Sequence, residues 1–126
     1  MIHPPPNEEA STIRAERRKL TGLEYMRRVM TGEVPPSGMV QLMNFKLVEV
    51  SEGRAVFTIK PDERHYNGLG IAHGGLAATL LDSATGCAIN TMMPAGRIFT
   101  TLEMKINYVR PMARETGEVR CEAKRM

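Results

Sequence analysis

An apolar helix that follows a glycine-rich loop is the feature that most constrains the fold of this 126-residue chain. The loop is His65–Gly75, and the helix is predicted over Leu76–Met92, where apolar residues cover nearly every direction of the helical wheel. A helix of this kind has no purely polar face to leave in water. We therefore expect it to be the central element of the domain, enclosed by other parts of the protein.

Segments of alternating polarity on both sides of this helix predict antiparallel strands. Residues 45–50 and 54–60 predict a hairpin, and the clearest alternation runs over Ile98–Val109. Another strand is predicted at Glu118–Lys124. One buried helix set among antiparallel strands indicates an α+β domain.

The region before the hairpin is predicted to be less regular. We divide the chain into an N-terminal tail with helices at residues 1–37 and a main domain at residues 38–126. Glu8–Lys19 is mostly charged, so we expect a solvated helix, and we interpret its run of three basic residues as a solvated surface without chemistry. Thr21 and Glu24 have the spacing of a capping box, which predicts that a short helix begins there.

Composition and charge exclude several classes of function. Cys87 and Cys121 lack the spacing of a zinc site, and two free thiols suit a reducing compartment, which predicts a cytoplasmic protein. The net charge of +3 is scattered without a basic stripe, so we expect no nucleic-acid partner. Uncharged segments fall short of the ~18 apolar residues of a membrane span, and no signal peptide is recognisable. We expect no cofactor and no membrane partner.

Asp82 is the one carboxylate inside the apolar helix. An unpaired charge buried there would be costly, so Asp82 needs either a partner or a function. A structural aspartate that caps a segment or pairs with a lysine remains an equal alternative on these residues alone. Small residues share its stripe of the helix, so a ligand or another backbone can approach closely: Gly75, Ala78, Thr79, Thr85 and Gly86.

Gly74 and Gly75 at the start of this helix are the second candidate feature. Free N–H groups at a helix N-terminus attract negative charge, including the charge that develops on a carbonyl oxygen during acyl transfer. The alternative is a loop that only needs glycine torsions. Gly74 and Asp82 are separated by about 12 Å of helix rise, so they cannot both contact one carbonyl. If both serve one site, a second copy of the helix must supply the carboxylate, which predicts an isologous dimer.

Other chemistries have weaker support in the sequence. The spacing of His65, His73 and Asp82 matches no metal motif, so we predict no metal site. Ser83 and Cys87 lie on the apolar helix without a nucleophile elbow, so covalent catalysis by either residue is not expected.

Two segments resemble the hotdog-fold acyl-CoA thioesterases of the PaaI-like group, within the 4-hydroxybenzoyl-CoA thioesterase superfamily. They are Asn67–Asp82, with the order Asn, His-Gly-Gly, Asp, and Thr100–Pro111, which ends in Arg-Pro. The resemblance covers Gly38–Lys124. It implies an α+β hotdog fold, in which a curved antiparallel sheet wraps a long helix, and a homodimer or homotetramer that acts on acyl-CoA.

The resemblance also implies catalytic roles. The backbone N–H of Gly74 would polarise the thioester carbonyl, with Asn67 helping to hold it. Asp82 of the other subunit would act as general base on water or as nucleophile. Thr101 would orient the attacking water, and His73 would orient the loop at Gly74.

Substrate binding is implied for three further residues: Gly75, and, by position near the phosphates of coenzyme A, Arg110 and Arg114. The function implied is hydrolysis of an aryl- or medium-chain acyl-CoA to a free acid and CoA. The alternatives are a non-catalytic acyl-CoA-binding hotdog protein and a dehydratase of hydroxyacyl thioesters. Family members continue beyond the position of Met126 with further sheet segments, so the resemblance also implies that C-terminal strands are missing from this chain.

Overall fold

The computed structural model describes residues 14–126. Its helices are α1 (Gly22–Thr31), α2 (Gly38–Met43) and α3 (Gly74–Asn90), and its strands are β1 (Lys46–Ser51), β2 (Arg54–Ile59) and β3 (Val119–Lys124). Residues 14–17 are also helical, whereas residues 8–13 of the predicted solvated helix lie outside the described part of the chain. None of the helices within residues 14–126 is long and apolar enough to cross a membrane.

The three strands form one antiparallel sheet in the order β1-β2-β3. This confirms the predicted hairpin, whose turn contains Gly53 with a φ of 73° that favours glycine. The register of the hairpin shifts between Leu47 and Glu49, which introduces a bulge. The predicted strand at the end of the chain is also confirmed, because β3 pairs with the whole of β2, with Ala55 opposite Ala123.

Helix α3 packs on β2 and β3 through one face. This face repeats every four residues, so its members lie in one row along the helix: Leu76, Leu80, Ala84 and Ala88, each at most 3% exposed. The α+β prediction is confirmed. The prediction that the helix is enclosed on every side is wrong for the part of the chain that the structure describes, because the sheet covers one face only and Ile89 is 37% exposed.

Helix α1 packs on strand β1 and on one end of α3. The predicted capping box is present: the hydroxyl of Thr21 accepts from the N–H of Glu24 at 3.2 Å, and the carboxylate of Glu24 accepts from the N–H of Thr21 at 3.0 Å. The N–H of Gly22 donates to the carbonyl of Met93 at 2.9 Å, which ties α1 to the loop after α3. Residues before position 38 therefore contribute to the same core. The boundary at residue 38 stays a prediction.

The segment predicted as the clearest strand, Ile98–Val109, is not a strand in the structure. No backbone N–H of residues 98–110 donates to a backbone carbonyl within the described residues. Thr101 and Tyr108 both bond to α3, although side chains seven residues apart face opposite sides of a regular strand. The alternation is therefore interrupted between them. The segment lies along α3 instead of joining a sheet within residues 14–126.

The contact between α1 and the end of α3 makes Gly22 intolerant of a side chain. A Cβ atom at Gly22 would lie 1.5 Å from the carbonyl oxygen of Asn90, which is backbone and cannot rotate away. We expect Gly22→Ala to lower the free energy of unfolding by about 2 kcal/mol, measured by urea titration. Gly38→Ala is the control, because nothing lies within 4 Å of its Cβ position and the chain there is helical. Equal midpoints for Gly22→Ala and the parent chain would contradict this packing.

The outer face of the sheet carries a network of charged side chains across all three strands. Arg54 on β2 contacts Glu49 on β1 at 2.7 Å and Glu122 on β3 at 2.6 Å. Hydrogen bonds from Lys124, which has the larger effect, and from Arg54 lower the pKa of Glu122 to about 2. Those from Arg120 and Arg54 lower the pKa of Glu49.

Because these carboxyl pKa values are lower in the folded chain than in the unfolded chain, the network stabilises the fold above about pH 4.5. This stabilisation is lost as the pH falls toward about 2. We expect Glu122→Gln to reduce the loss of stability between pH 5 and pH 2, and we expect salt to weaken the effect because the groups are exposed. Thermal unfolding across pH measures it, with Glu118→Gln as the control. An unchanged pH profile in Glu122→Gln would contradict the role of the network.

Candidate active site

Asp82 lies half-buried in the middle of α3. The hydroxyl of Thr101 donates to its Oδ1 at 2.8 Å. Within residues 14–126, Asp82 has no ion pair with a lysine, an arginine or a histidine. The alternative in which Asp82 has a structural role by pairing with a lysine is therefore not observed among the described residues. The carboxylate is held by a neutral hydroxyl and keeps oxygen lone pairs for another partner.

The small residues around Asp82 allow the segment after α3 to lie against the helix. A Cβ atom on Gly86 would be 3.6 Å from the ring of Phe99, at ordinary contact distance. The ring of Phe99 thus lies against Gly86. The side chain of Thr101 contacts Asp82, one helical turn away along α3. Another segment of the chain thus contacts this stripe through its side chains, whereas the close approach of a backbone or a ligand stays a prediction.

The N-terminus of α3 is fixed by two side chains. His73 is the capping residue, and its Nδ1 accepts from the N–H of Gly75 at 2.8 Å. The hydroxyl of Tyr108 donates to the carbonyl of Gly74 at 2.9 Å. The N–H of Gly74, at the first position of the helix, has no acceptor within the described residues. This amide is therefore both held in place and available to a ligand.

Asn67 shapes the loop in front of this helix. Its Oδ1 accepts from the N–H of Leu69 at 2.9 Å and, at 3.4 Å, from the N–H of Ile71. The backbone N–H of Asn67 donates to the carbonyl of Ile71 at 2.8 Å, which closes the turn. The side-chain oxygen is thus used within the loop, and the amide NH2 group is the part of Asn67 that remains for a substrate.

The face of α3 that carries Asp82 borders a cavity of about 470 Å³, within the size range of small-molecule sites. Helices α1 and α2, the hairpin and the segment around Thr101 supply the other walls. The wall opposite Asp82 is mainly apolar and includes these residues: Met26, Met30, Val40, Phe45, Leu47 and Phe57. Met26 and Met30 are four residues apart on α1, and in a sequence that spacing indicates only a buried helix face and not a ligand site.

Cys87 also lines this cavity. Burial raises the pKa of its thiol to about 11, more than the nearby Arg17 lowers it. The thiol therefore stays protonated and is a poor nucleophile at neutral pH. Ser83 lines the same cavity. Within residues 14–126 neither side chain is hydrogen-bonded to a histidine or a carboxylate that could activate it. Asp82 therefore stays the candidate for the reactive group at this cavity.

The other predicted binding residues are not at this cavity. Arg114 forms an ion pair with Glu63, and its guanidinium lies 5.4 Å from the ring centre of Tyr66. Arg110 is exposed. The roles of both arginines, and of Gly75 in substrate binding, stay predictions. Among residues 14–126 no group of three or more His, Cys, Asp and Glu side chains is arranged to hold a metal.

Comparisons with known proteins place this arrangement in a family. The model of the Thioesterase superfamily matches residues 69–125. Human acyl-coenzyme A thioesterase 13 is 34% identical over 65 residues, which is 52% of this chain and 46% of that protein. The chain spans about half the length of the curated relatives it matches.

Two solved structures extend the likeness from sequence to fold. A conserved protein of Pseudomonas aeruginosa, PA5202, is 34% identical with a TM-score of 0.66, covering 71% of this chain and 70% of its own. A mutant of the phenylacetic acid degradation protein PaaI from Thermus thermophilus is 29% identical with a TM-score of 0.57, covering 68% and 69%. The chain belongs to the thioesterase superfamily, and its long helix packed on an antiparallel sheet is the hotdog fold of the PaaI-like members.

Proposed function

We propose that this protein hydrolyses acyl-CoA thioesters to a free acid and CoA. The observation that carries the proposal is the carboxylate of Asp82, hydrogen-bonded to Thr101, at the edge of a largely apolar cavity. Hydrolysis needs a base, a group that orients water and a pocket for the acyl group, and these residues supply all three. The similarity to acyl-coenzyme A thioesterase 13 supports the same reaction.

In the proposed reaction Asp82 is the general base. Its carboxylate takes a proton from a water molecule that Thr101 helps to orient, and the water oxygen bonds to the thioester carbon. The carbonyl oxygen becomes an oxyanion and accepts a hydrogen bond from the N–H of Gly74. Collapse of this intermediate breaks the carbon–sulfur bond and releases CoA as the thiolate, which takes up the proton.

The reacting carbonyl requires groups from two copies of the chain. Gly74 and Asp82 are separated by about 12 Å along α3, so one helix cannot place both on a single carbonyl. We propose a homodimer in which each site combines Asp82 and Thr101 of one copy with Gly74 of the other. The exposed apolar side chains of Ile98 and Leu102, 83% and 95% accessible, support an interface along this segment.

The cavity suits an acyl group without charge. Its wall of methionine, valine, leucine and phenylalanine side chains favours an aryl group or an aliphatic chain of medium length. The role of Asp82 distinguishes this function from a non-catalytic acyl-CoA-binding protein, because binding alone does not need a carboxylate beside the thioester.

We expect Asp82→Asn to lower kcat by about 10²–10⁴-fold, because the amide cannot accept the proton of water. A panel of aryl and medium-chain acyl-CoAs with a thiol reagent measures CoA release. Glu103→Gln is the matched control, since it makes the same chemical change at an exposed residue away from the cavity. Parent-like turnover in Asp82→Asn would refute the assignment. Binding of acyl-CoA without release by the parent chain would favour the non-catalytic alternative.

The role of the Gly74 N–H in catalysis can be tested by a substitution that preserves helix α3. Proline is tolerated at the first helical position, and His73 has the extended conformation that must precede proline, with φ −59° and ψ 140°. We expect Gly74→Pro, which lacks the N–H, to lower kcat by about 10²-fold or more. Gly74→Ala is the control, because it keeps the N–H and meets Tyr108 at the same 3.4 Å. Equal kcat values for the two variants would remove this amide from the mechanism.

A further inference from the structure

A second cavity, of about 260 Å³, lies at the C-terminal end of α3. Four arginines line it, hereafter the arginine cluster: Arg14, Arg17, Arg18 and Arg97. Among residues 14–126, no aspartate or glutamate lines this cavity. Within residues 14–126, none of the four guanidinium groups has a carboxylate within ion-pair distance.

The arginine cluster carries more positive charge than is needed to balance the negative end of the α3 dipole. The C-terminus of α3, at Asn90, carries the equivalent of about half a negative charge, which one nearby cation balances. The ring of Tyr25 holds the guanidinium of Arg17 at 4.5 Å from its centre, but the ring carries no net charge. The cluster therefore keeps an excess of positive charge in a concave site, which suits a ligand with several anionic groups.

The second cavity adjoins the first. Arg17, Tyr25 and Asn90 line both of them. Asn90 is about 12 Å along α3 from Asp82. Arg97 precedes Thr101 by four residues, so their Cα atoms are at most about 14 Å apart. An elongated ligand with its reacting group at Asp82 would thus place its far end among the arginines.

The wall that connects the two sites differs from the apolar wall of the first cavity. Along α3 it presents Ser83, Gly86 and Asn90, which are small or polar. The apolar residues of the first cavity lie on α1, α2 and the hairpin. An apolar acyl group and a polar arm of the same ligand therefore have separate surfaces on which to lie.

We propose that the arginine cluster binds the phosphate groups of coenzyme A while the thioester lies at Asp82. This inference rests on the proposed function, because it assumes that the ligand is a thioester of that carrier. Several phosphates match four guanidinium groups better than the single carboxylate of a charged acyl group would. The basic run near residue 18 is then a ligand site and not only a solvated surface.

The test compares coenzyme A with pantetheine, which lacks the phosphates, in calorimetric titrations of the full chain. Arg18 and Arg97 line only the second cavity, so the double variant Arg18→Gln/Arg97→Gln leaves the first cavity intact. We expect it to bind coenzyme A about tenfold or more weakly, with a smaller salt dependence, and to bind pantetheine like the parent. The control is Arg27→Gln/Arg28→Gln, which removes two charges from α1 at residues that line neither cavity.

Turnover gives the second readout. We expect the double variant to raise KM for an acyl-CoA about tenfold, to leave kcat unchanged, and to hydrolyse the corresponding acyl-pantetheine like the parent. Hydrolysis by neither protein, with the binding difference retained, would refute the proposed function and not the phosphate site.

Any of the following results would overturn the phosphate site. The first is parent-like binding of coenzyme A by the double variant, and the second is no binding by the parent. The third is an equal loss for pantetheine or a selective loss for an acyl-pantetheine that carries a distal carboxylate. The fourth is a larger loss from Arg114→Gln than from the double variant, which would place the phosphates at the position expected from the sequence.

Discussion

The packing of α3 on the sheet through a single face is the constraint on which the rest of the structure depends. Leu76, Leu80 and Ala84 lie in one row against β2 and β3 and are almost completely buried. A row with four-residue spacing uses only part of the helix surface, so the opposite side remains outside the sheet. Asp82 is on this side. The same burial that stabilises the fold therefore presents a carboxylate to a cavity.

The N-terminal residues complete what the sheet leaves open. The capping box at Thr21 fixes where α1 begins, and Gly22 lets α1 approach the end of α3 to within backbone contact. Met26 and Met30 then close the apolar cavity. The turn before α1 brings Arg17 to the boundary between the two cavities. The N-terminal region, which precedes the segment that resembles the thioesterases, thus supplies part of the cavity wall.

The sequence predicted features that depend on local chemistry. The hairpin, the capping box and α3 follow from alternation, spacing and helix-breaking residues, and all three are confirmed. Asp82 and Thr101, which the family resemblance singled out separately, are joined by a hydrogen bond in the structure, although their catalytic roles stay proposals. These features are visible in a sequence because the residues that define them are close together or belong to a recognisable motif.

Features that depend on distant neighbours were not predictable. Ile98–Val109 alternates like a strand, but a strand needs a hydrogen-bonding neighbour, and residues 14–126 supply none. The alternation of polar and apolar residues shows which side chains lie on the same side of a segment. It does not show whether a neighbouring strand is present. The arginine cluster was missed for a similar reason, since Arg18 and Arg97 are far apart in sequence and meet only because α3 ends between them.

The central claim is that one catalytic site uses Asp82 of one copy and Gly74 of another. Mixing Asp82→Asn chains with Gly74→Pro chains under conditions that exchange subunits tests it most directly, because each variant alone lacks one of the two groups. If the site is shared, half of the dimers are mixed and one of the two sites in each is intact, so about a quarter of the parent CoA release returns. If both groups act within one chain, no intact site forms and the mixture stays as inactive as its components, which would contradict the account.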